Sequence, residues 1–175
     1  MSATSAQPQG TRIVVTGVGP VTPLGVGREE FCAKLFSGAS AIDAVRGFDT
    51  GALSSQLAAE VPDFSPRDFI SAKNLRRMDK ISQMTVAASR MALEDAGIVV
   101  TGENRDRIGI LLGTAFGATD VTVSLAETLL TKGASSVNPI LVPNTVMNAP
   151  AGHASIELGF RGVNTTITHF GVSAE

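Results

Sequence analysis

An α/β fold with some parallel strand pairing is what this 175-residue chain predicts. Short apolar runs rich in β-branched residues end on glycine, as buried strands do. Amphipathic stretches with helical spacing lie between them and stop at glycines suited to a left-handed cap. The two patterns alternate along the chain, which is how strands and crossover helices build a layered sheet. With 43% hydrophobic and 17% charged residues, the chain has the composition of one folded domain with a sizeable core, not of a disordered polypeptide.

The polar start, residues 1–10, reads as a flexible tail, and the domain is expected over 11–175. RIVVTGVG (Arg12–Gly19) is the first expected buried strand, followed by the Pro/Gly loop PVTPLGVG. REEFCAKLFSG (Arg28–Gly38) places Phe31, Cys32, Leu35 and Phe36 on one helical face, with Glu29 and Glu30 in the first turn and Gly38 at the stop. Residues Ala39–Asn74 are irregular and proline-punctuated, a long surface excursion. Leu75–Gly97 is the strongest helical pattern, with Ile81, Met84, Ala88, Met91 and Ala92 at helical spacing. RIGILLGTAFGA (Arg107–Ala118) reads as a buried strand entering a glycine-rich turn, and Val121, Leu125 and Leu129 mark a further helix closed by Gly133. Val137–Gly162 is a Pro-punctuated segment leading into a short helix stopped at Gly159, and Thr165–Thr168 is the last strand.

Several function classes lack support. A formal net charge of −2 gives no electrostatic footprint for nucleic acid or an anionic membrane. MSATSAQPQGT lacks the apolar core of a secretory signal, and no apolar run approaches the roughly 18 residues of a membrane span. The single cysteine, Cys32, suits a reducing compartment, so a cytoplasmic location is expected, and on its helical face it reads as a core residue. Metal binding would have to draw on one Cys and two widely separated His, and His153 is expected to make a structural hydrogen bond. Gly17, Gly19 and Gly25 miss dinucleotide spacing, since Thr22 stands where the third glycine belongs. No cofactor is expected.

The turn after the last strand carries the most chemical interest. A side chain at a strand-to-helix elbow projects from the sheet onto the positive end of the helix, where a thiol is shifted toward thiolate and N–H groups can hold an oxyanion. Here the elbow holds His169, Phe170, Gly171, Val172 and Ser173.

In order along the chain, RIVVTGVGPVTPLG, FCAKLFSGASAI, RRMDKISQMTVAASRMALEDAGI, IGILLGTAFGA and VPNTVMNAPAGHASIELGFRGVNTTIT resemble the N-terminal half of the β-ketoacyl synthases. The resemblance implies a thiolase-like fold of α-β-α-β-α layers, with a mixed, mostly parallel sheet and flanking helices, ending at the start of the central helix. It also implies acyl carrier protein as the source of acyl groups. In active members a cysteine follows this strand and takes the acyl chain. Aligning Gly162-Val163-Asn164 with the family's Gly-Pro-Ser puts Gly171 at that position, so no thioester can form there. Ser173 matches a small residue of the family and lacks an evident base.

A scaffold without its nucleophile resembles the chain-length-factor subunits that pair with an active ketosynthase and shape the acyl tunnel. Phe116 then matches a position near the acyl pocket, and Ile140 and Leu141 match the segment that approaches the partner's pocket; core or interface packing is the alternative for all three. His169 and Phe170 complete the set of tunnel or interface residues. Two other readings stay open: altered chemistry such as malonyl-carrier decarboxylation, and a pure assembly module. The family's C-terminal half, with its histidines and lysine, is expected from a second polypeptide or from a longer protein.

Overall fold

The structure, a computed structural model, describes residues 12–61 and 64–173. In chain order its strands and α-helices are β1 (Val21–Thr22), β2 (Gly25–Val26), α1 (Arg28–Phe36), β3 (Ile42–Ala44), β4 (Leu57–Ala59), α2 (Ala72–Leu75), α3 (Lys80–Asp95), β5 (Ile110–Gly113), α4 (Thr119–Lys132), α5 (Ala149–Leu158) and β6 (Asn164–Ile167). The expected tail, residues 1–10, lies outside the described residues.

The core forms where α3 packs on α5. Val86 of α3 meets Ala154 and Leu158 of α5, with Ile70 and Met78 beside them and Ile110, Leu93 and Phe160 closing the edge. The helix expected over Leu75–Gly97 is divided. Leu75 ends α2, and α3 begins only at Lys80, because Asp79 in extended backbone accepts the N–H groups of Ile81 and Ser82 and receives the Ser82 hydroxyl. A capping carboxylate of this kind satisfies orphan donors and fixes the start of a helix.

The face of α3 also differs from expectation. Ser82, Val86 and Ala87 are buried, whereas Ile81, Met84, Ala88, Met91 and Ala92 are half-buried. Two neighbours share the helix. Val86 points to α5, while Ala88 and Ala92 back onto Gly19 and Gly17.

That second contact corrects the first expected strand. Arg12–Gly19 forms no strand and has no ladder partner among the described residues, and its apolar side chains are open, Ile13 at 96%. β-branched side chains stabilise a strand through cross-strand neighbours, and none pairs here. Only the glycine end is seated: a Cβ on Gly19 would land on the Ala88 carbonyl, and the Val18 N–H donates to Asp95 Oδ2 at 3.0 Å. Gly19→Val is therefore expected to destabilise the fold by about 1–3 kcal/mol through overpacking against helix backbone. Gly102→Ala, in open space, stays within about 0.5 kcal/mol of the parent. Paired thermal melts check the contrast.

The expected apolar face of α1 is covered only in part. Phe31 and Cys32 are half-buried over the Gly17–Pro20 backbone, but Leu35 and Phe36 are exposed, Phe36 at 85%. Among the described residues, none covers these two side chains. The surface excursion contains a small antiparallel ladder, β3 with β4, and the 3-10 turn Pro66–Asp68 leading to α2. β1 and β2 form a second antiparallel ladder.

β5 and β6 pair in parallel, Ile110 opposite Asn164 through Gly113 opposite Ile167. Expected as a buried strand, β5 is covered on one face only: Ile110 and Leu112 are half-buried while Leu111 is exposed. α5 lies against the covered face and crosses from one strand to the other. Gly133 and Gly159 end α4 and α5 with positive φ, as stops of the kind the sequence predicts, and Gly159 takes the left-handed helical conformation. Among the described residues, no helix is long and apolar enough to cross a membrane.

Candidate functional site

Because β5 and β6 are parallel and in register, both stop at the same edge, and the loops that follow leave side by side. The Thr114 N–H continues the ladder to the Ile167 carbonyl at 3.0 Å. Beyond it, residues 114–118 turn back toward α4 and residues 168–173 form the elbow.

The first loop is held by its own polar groups. Thr114 Oγ1 accepts the Gly117 N–H at 3.1 Å, and the Thr119 hydroxyl donates to the Phe116 carbonyl at 3.1 Å. Gly117 has a φ of +60°, and the Met147 side chain occupies the space that a Cβ would need. Glycine is required there for both reasons. The result presents the Phe116 ring outward.

The elbow is a 3-10 turn, Phe170–Val172, following His169. Phe170 has a φ of +49°, the one positive value outside glycine among the described residues. For a bulky residue this backbone is uncommon and marks a special turn. Ser173, only 7% exposed, closes it: its hydroxyl accepts the His169 N–H at 2.8 Å and donates to the Phe170 carbonyl at 2.7 Å. Both bonds go to backbone, so this hydroxyl is a structural clasp, and among the described residues no basic side chain is bonded to it.

Two residues singled out from the sequence meet at this edge. The rings of Phe116 and Phe170 pack edge-to-face, centroids 6.1 Å apart and planes at 64°. Gly171 lies in the same turn, exposed, and apart from its chain neighbours no described residue comes within 4 Å of where a Cβ would sit. His169 is exposed as well. Ile140 and Leu141 lie apart from this pair in sequence, in the turn that precedes the 3-10 segment Val142–Thr145; Ile140 is exposed and Leu141 half-buried. That segment packs on α4 and α5, and Met147, two residues beyond it, touches the Gly117 turn. Cys32 sits in a groove lined by Gly17–Pro20, Arg28, Phe31, Ala88, Ser89 and Ala92, none of them an elbow residue.

Two polar clusters escaped the sequence reading. Asn144 is fully buried; its Nδ2 donates to the Arg77 carbonyl at 2.8 Å, and its Oδ1 lies 2.8 Å from His153 Nε2. His153 thus makes a structural hydrogen bond, as expected, though from the second turn of α5 rather than its start. Burial pushes its pKa below the usual histidine range, against a smaller opposing pull from the Asp79 charge. Glu157, one turn further along α5, receives the Ser71 N–H at 2.9 Å, the Ser71 hydroxyl at 3.1 Å and Asn74 Nδ2 at 2.5 Å, with Arg90 3.8 Å away. A polar residue inside the apolar run ILVPNTVM was the available signal for Asn144. Among the described residues, no group of three His, Cys, Asp or Glu side chains is placed to hold a metal.

A paired parallel edge, loops thrown together at its end and an elbow beyond the last strand define the thiolase-like α/β class of fold. The chain belongs to the β-ketoacyl synthase family: residues 10–169 match "Beta-ketoacyl synthase, N-terminal domain". It is 37% identical over 157 residues to 3-oxoacyl-[acyl-carrier-protein] synthase 2 of Vibrio harveyi, a match covering 90% of this chain and 38% of that protein. The chain thus spans well under half the length of the curated relatives it matches. Among solved structures, the ishigamide ketosynthase/chain length factor superposes with a TM-score of 0.77 at 32% identity, covering 89% of this chain and 39% of the other. AntDE:AntF, a type II PKS acyl-carrier protein in complex with its ketosynthase, superposes with a TM-score of 0.69 at 22% identity, over 86% of this chain and 40% of the other; it speaks for the fold.

Proposed function

We propose that this chain is part of a non-catalytic, chain-length-factor-type subunit, which pairs with an active ketosynthase and helps wall the tunnel holding an acyl chain during fatty acid or polyketide elongation. The observation that carries this reading is Gly171 at the elbow. A ketosynthase elbow needs a thiolate to accept the acyl group, and a hydrogen atom cannot replace it. Ser173 is no substitute, because its hydroxyl is already committed to two backbone groups.

The aromatic pair beside Gly171 supports a walling role. Phe116 and Phe170 are exposed yet packed on each other, presenting apolar surface beside Gly171 that an acyl chain could lie against. The likeness to a ketosynthase/chain length factor pair points the same way. The partners of this reading are an active ketosynthase subunit, the C-terminal half of the fold, and acyl carrier protein. Exposed apolar side chains on α1, β5 and β6, such as Phe36, Leu111 and Ile167, give that second half surface to cover.

The direct test incubates the complex with acyl-carrier donors and maps adducts on each chain. The expected result is an adduct on the partner and none on residues 169–173 of this chain; an acyl group found on those residues defeats the reading. Phe116→Ala gives a second measure. Removing one ring of the pair costs only about 0.5–1.5 kcal/mol of aromatic contact beyond area burial. Melting should therefore change little, while the product distribution, read by mass spectrometry, shifts toward longer chains. Unchanged lengths would place Phe116 outside the tunnel.

A further inference from the structure

Segment 138–148 links α4 to α5 and contains Ile140 and Leu141, yet it forms neither strand nor α-helix. Its backbone makes the 3-10 turn Val142–Thr145, and the side chains of Asn138 and Thr145 bond within the segment. Among the described residues, its side-chain hydrogen bonds to the rest of the fold all pass through Asn144.

The geometry of that residue is over-determined. Asn144 Nδ2 donates to the Arg77 carbonyl, so Oδ1 is the acceptor that faces His153. The imidazole must then carry its proton on Nε2. Arg77 lies just before Asp79, the cap of α3, while His153 belongs to α5. One fully buried amide therefore ties the segment to the turn that leads into α3 and to α5. Buried polar groups that are fully paired specify a single arrangement, and losing one partner leaves the others desolvated and unmet.

We propose that Asn144, oriented by His153, is the positioning residue that fixes the stance of segment 138–148 and, through Ile140 and Leu141, the length of acyl chain the complex makes. This rests on the tunnel reading given above. His153 touches no substrate in it; it acts only through the amide it holds.

The test uses the complex of this subunit with its ketosynthase and carrier protein, and reads acyl length together with amide exchange in 138–148. His153→Leu removes the Nε2 donor and should speed exchange in the segment by roughly tenfold, the low end of the penalty for an unpaired buried acceptor. It should also broaden or shift the product lengths. His153→Gln, whose amide N–H can donate to Asn144 Oδ1, should restore the parent distribution. If His153→Leu does not assemble, Asn144→Ser, too short to reach both partners, is read in its place. Unchanged product lengths in the variant that assembles overturn the proposal, as does His153→Gln behaving like His153→Leu. Ile140→Ala separates this from the reading beneath it. A shift with Ile140→Ala and none with His153→Leu removes the positioning role alone, no shift with either takes segment 138–148 out of the tunnel wall, and Phe116→Ala tests the tunnel itself.

Discussion

Gly171→Cys should turn an unreactive elbow into one that is alkylated by iodoacetamide at close to one label per chain. The backbone permits it. Residue 171 is exposed, has no described residue other than its chain neighbours within 4 Å of an added Cβ, and is not among the glycines with positive φ. The unusual φ of the turn falls on Phe170 instead, so an L side chain at 171 adds no backbone strain. The clasp beneath, Ser173 to His169 and Phe170, involves no atom of residue 171 and stays in place. The turn therefore has room for a side chain at 171 without rearrangement of its clasp. Peptide mapping checks the result, with half-buried Cys32 as the internal reference in both proteins. A Gly171→Cys chain that folds but takes no label at 171 would mean that the elbow is shut, and would undercut a tunnel passing beside it.

The sequence made some of this legible and hid the rest for physical reasons. Helices with their own glycine stops were readable, since α4 and α5 end at Gly133 and Gly159 through local backbone geometry alone. The elbow was readable too, because β6 and the residues after it are contiguous. The first strand was not: Arg12–Gly19 has strand composition, but pairing depends on a neighbour elsewhere in the chain, and none of the described strands lies alongside. The break before α3 turned on one carboxylate, Asp79, whose capping bonds outweigh the helical spacing that runs through it. Phe116 and Phe170 were each noticed separately, but their contact needed the register of β5 and β6, which sequence spacing does not give. Asn144 and Glu157 are not marked in the sequence, because the bonds from Asn144 to Arg77 and from Ser71 to Glu157 span 67 and 86 residues. Long-range polar pairing leaves no periodic trace.

Glu157 carries the largest expected loss of stability. Its side chain is 6% exposed and gathers donors from three places: Ser71 at the start of α2, Asn74 within it, and Arg90 of α3. It thereby clamps the excursion before the core onto α5. Removing one partner of such a buried charged cluster leaves the donors without an acceptor, so Glu157→Ala should cost about 3 kcal/mol. For a chain of this size that is a fall in melting temperature of roughly 10 °C. Burial alone would raise the carboxyl pKa, but the bonds from Asn74 and Ser71 and the Arg90 charge outweigh it, and the folded value lies below the ordinary 4.5. The sign follows directly. A depressed folded pKa means that the ionised group stabilises the fold above the unfolded value, and that this contribution is lost as pH falls through the folded one. Glu157→Gln, which turns an amide N–H toward these donors, should melt well below the parent at pH 7. The gap should close in acid as the parent's carboxylate takes up its proton. Denaturation curves across that range decide it: a gap that persists unchanged in acid would show that shape, and not charge, holds this clamp.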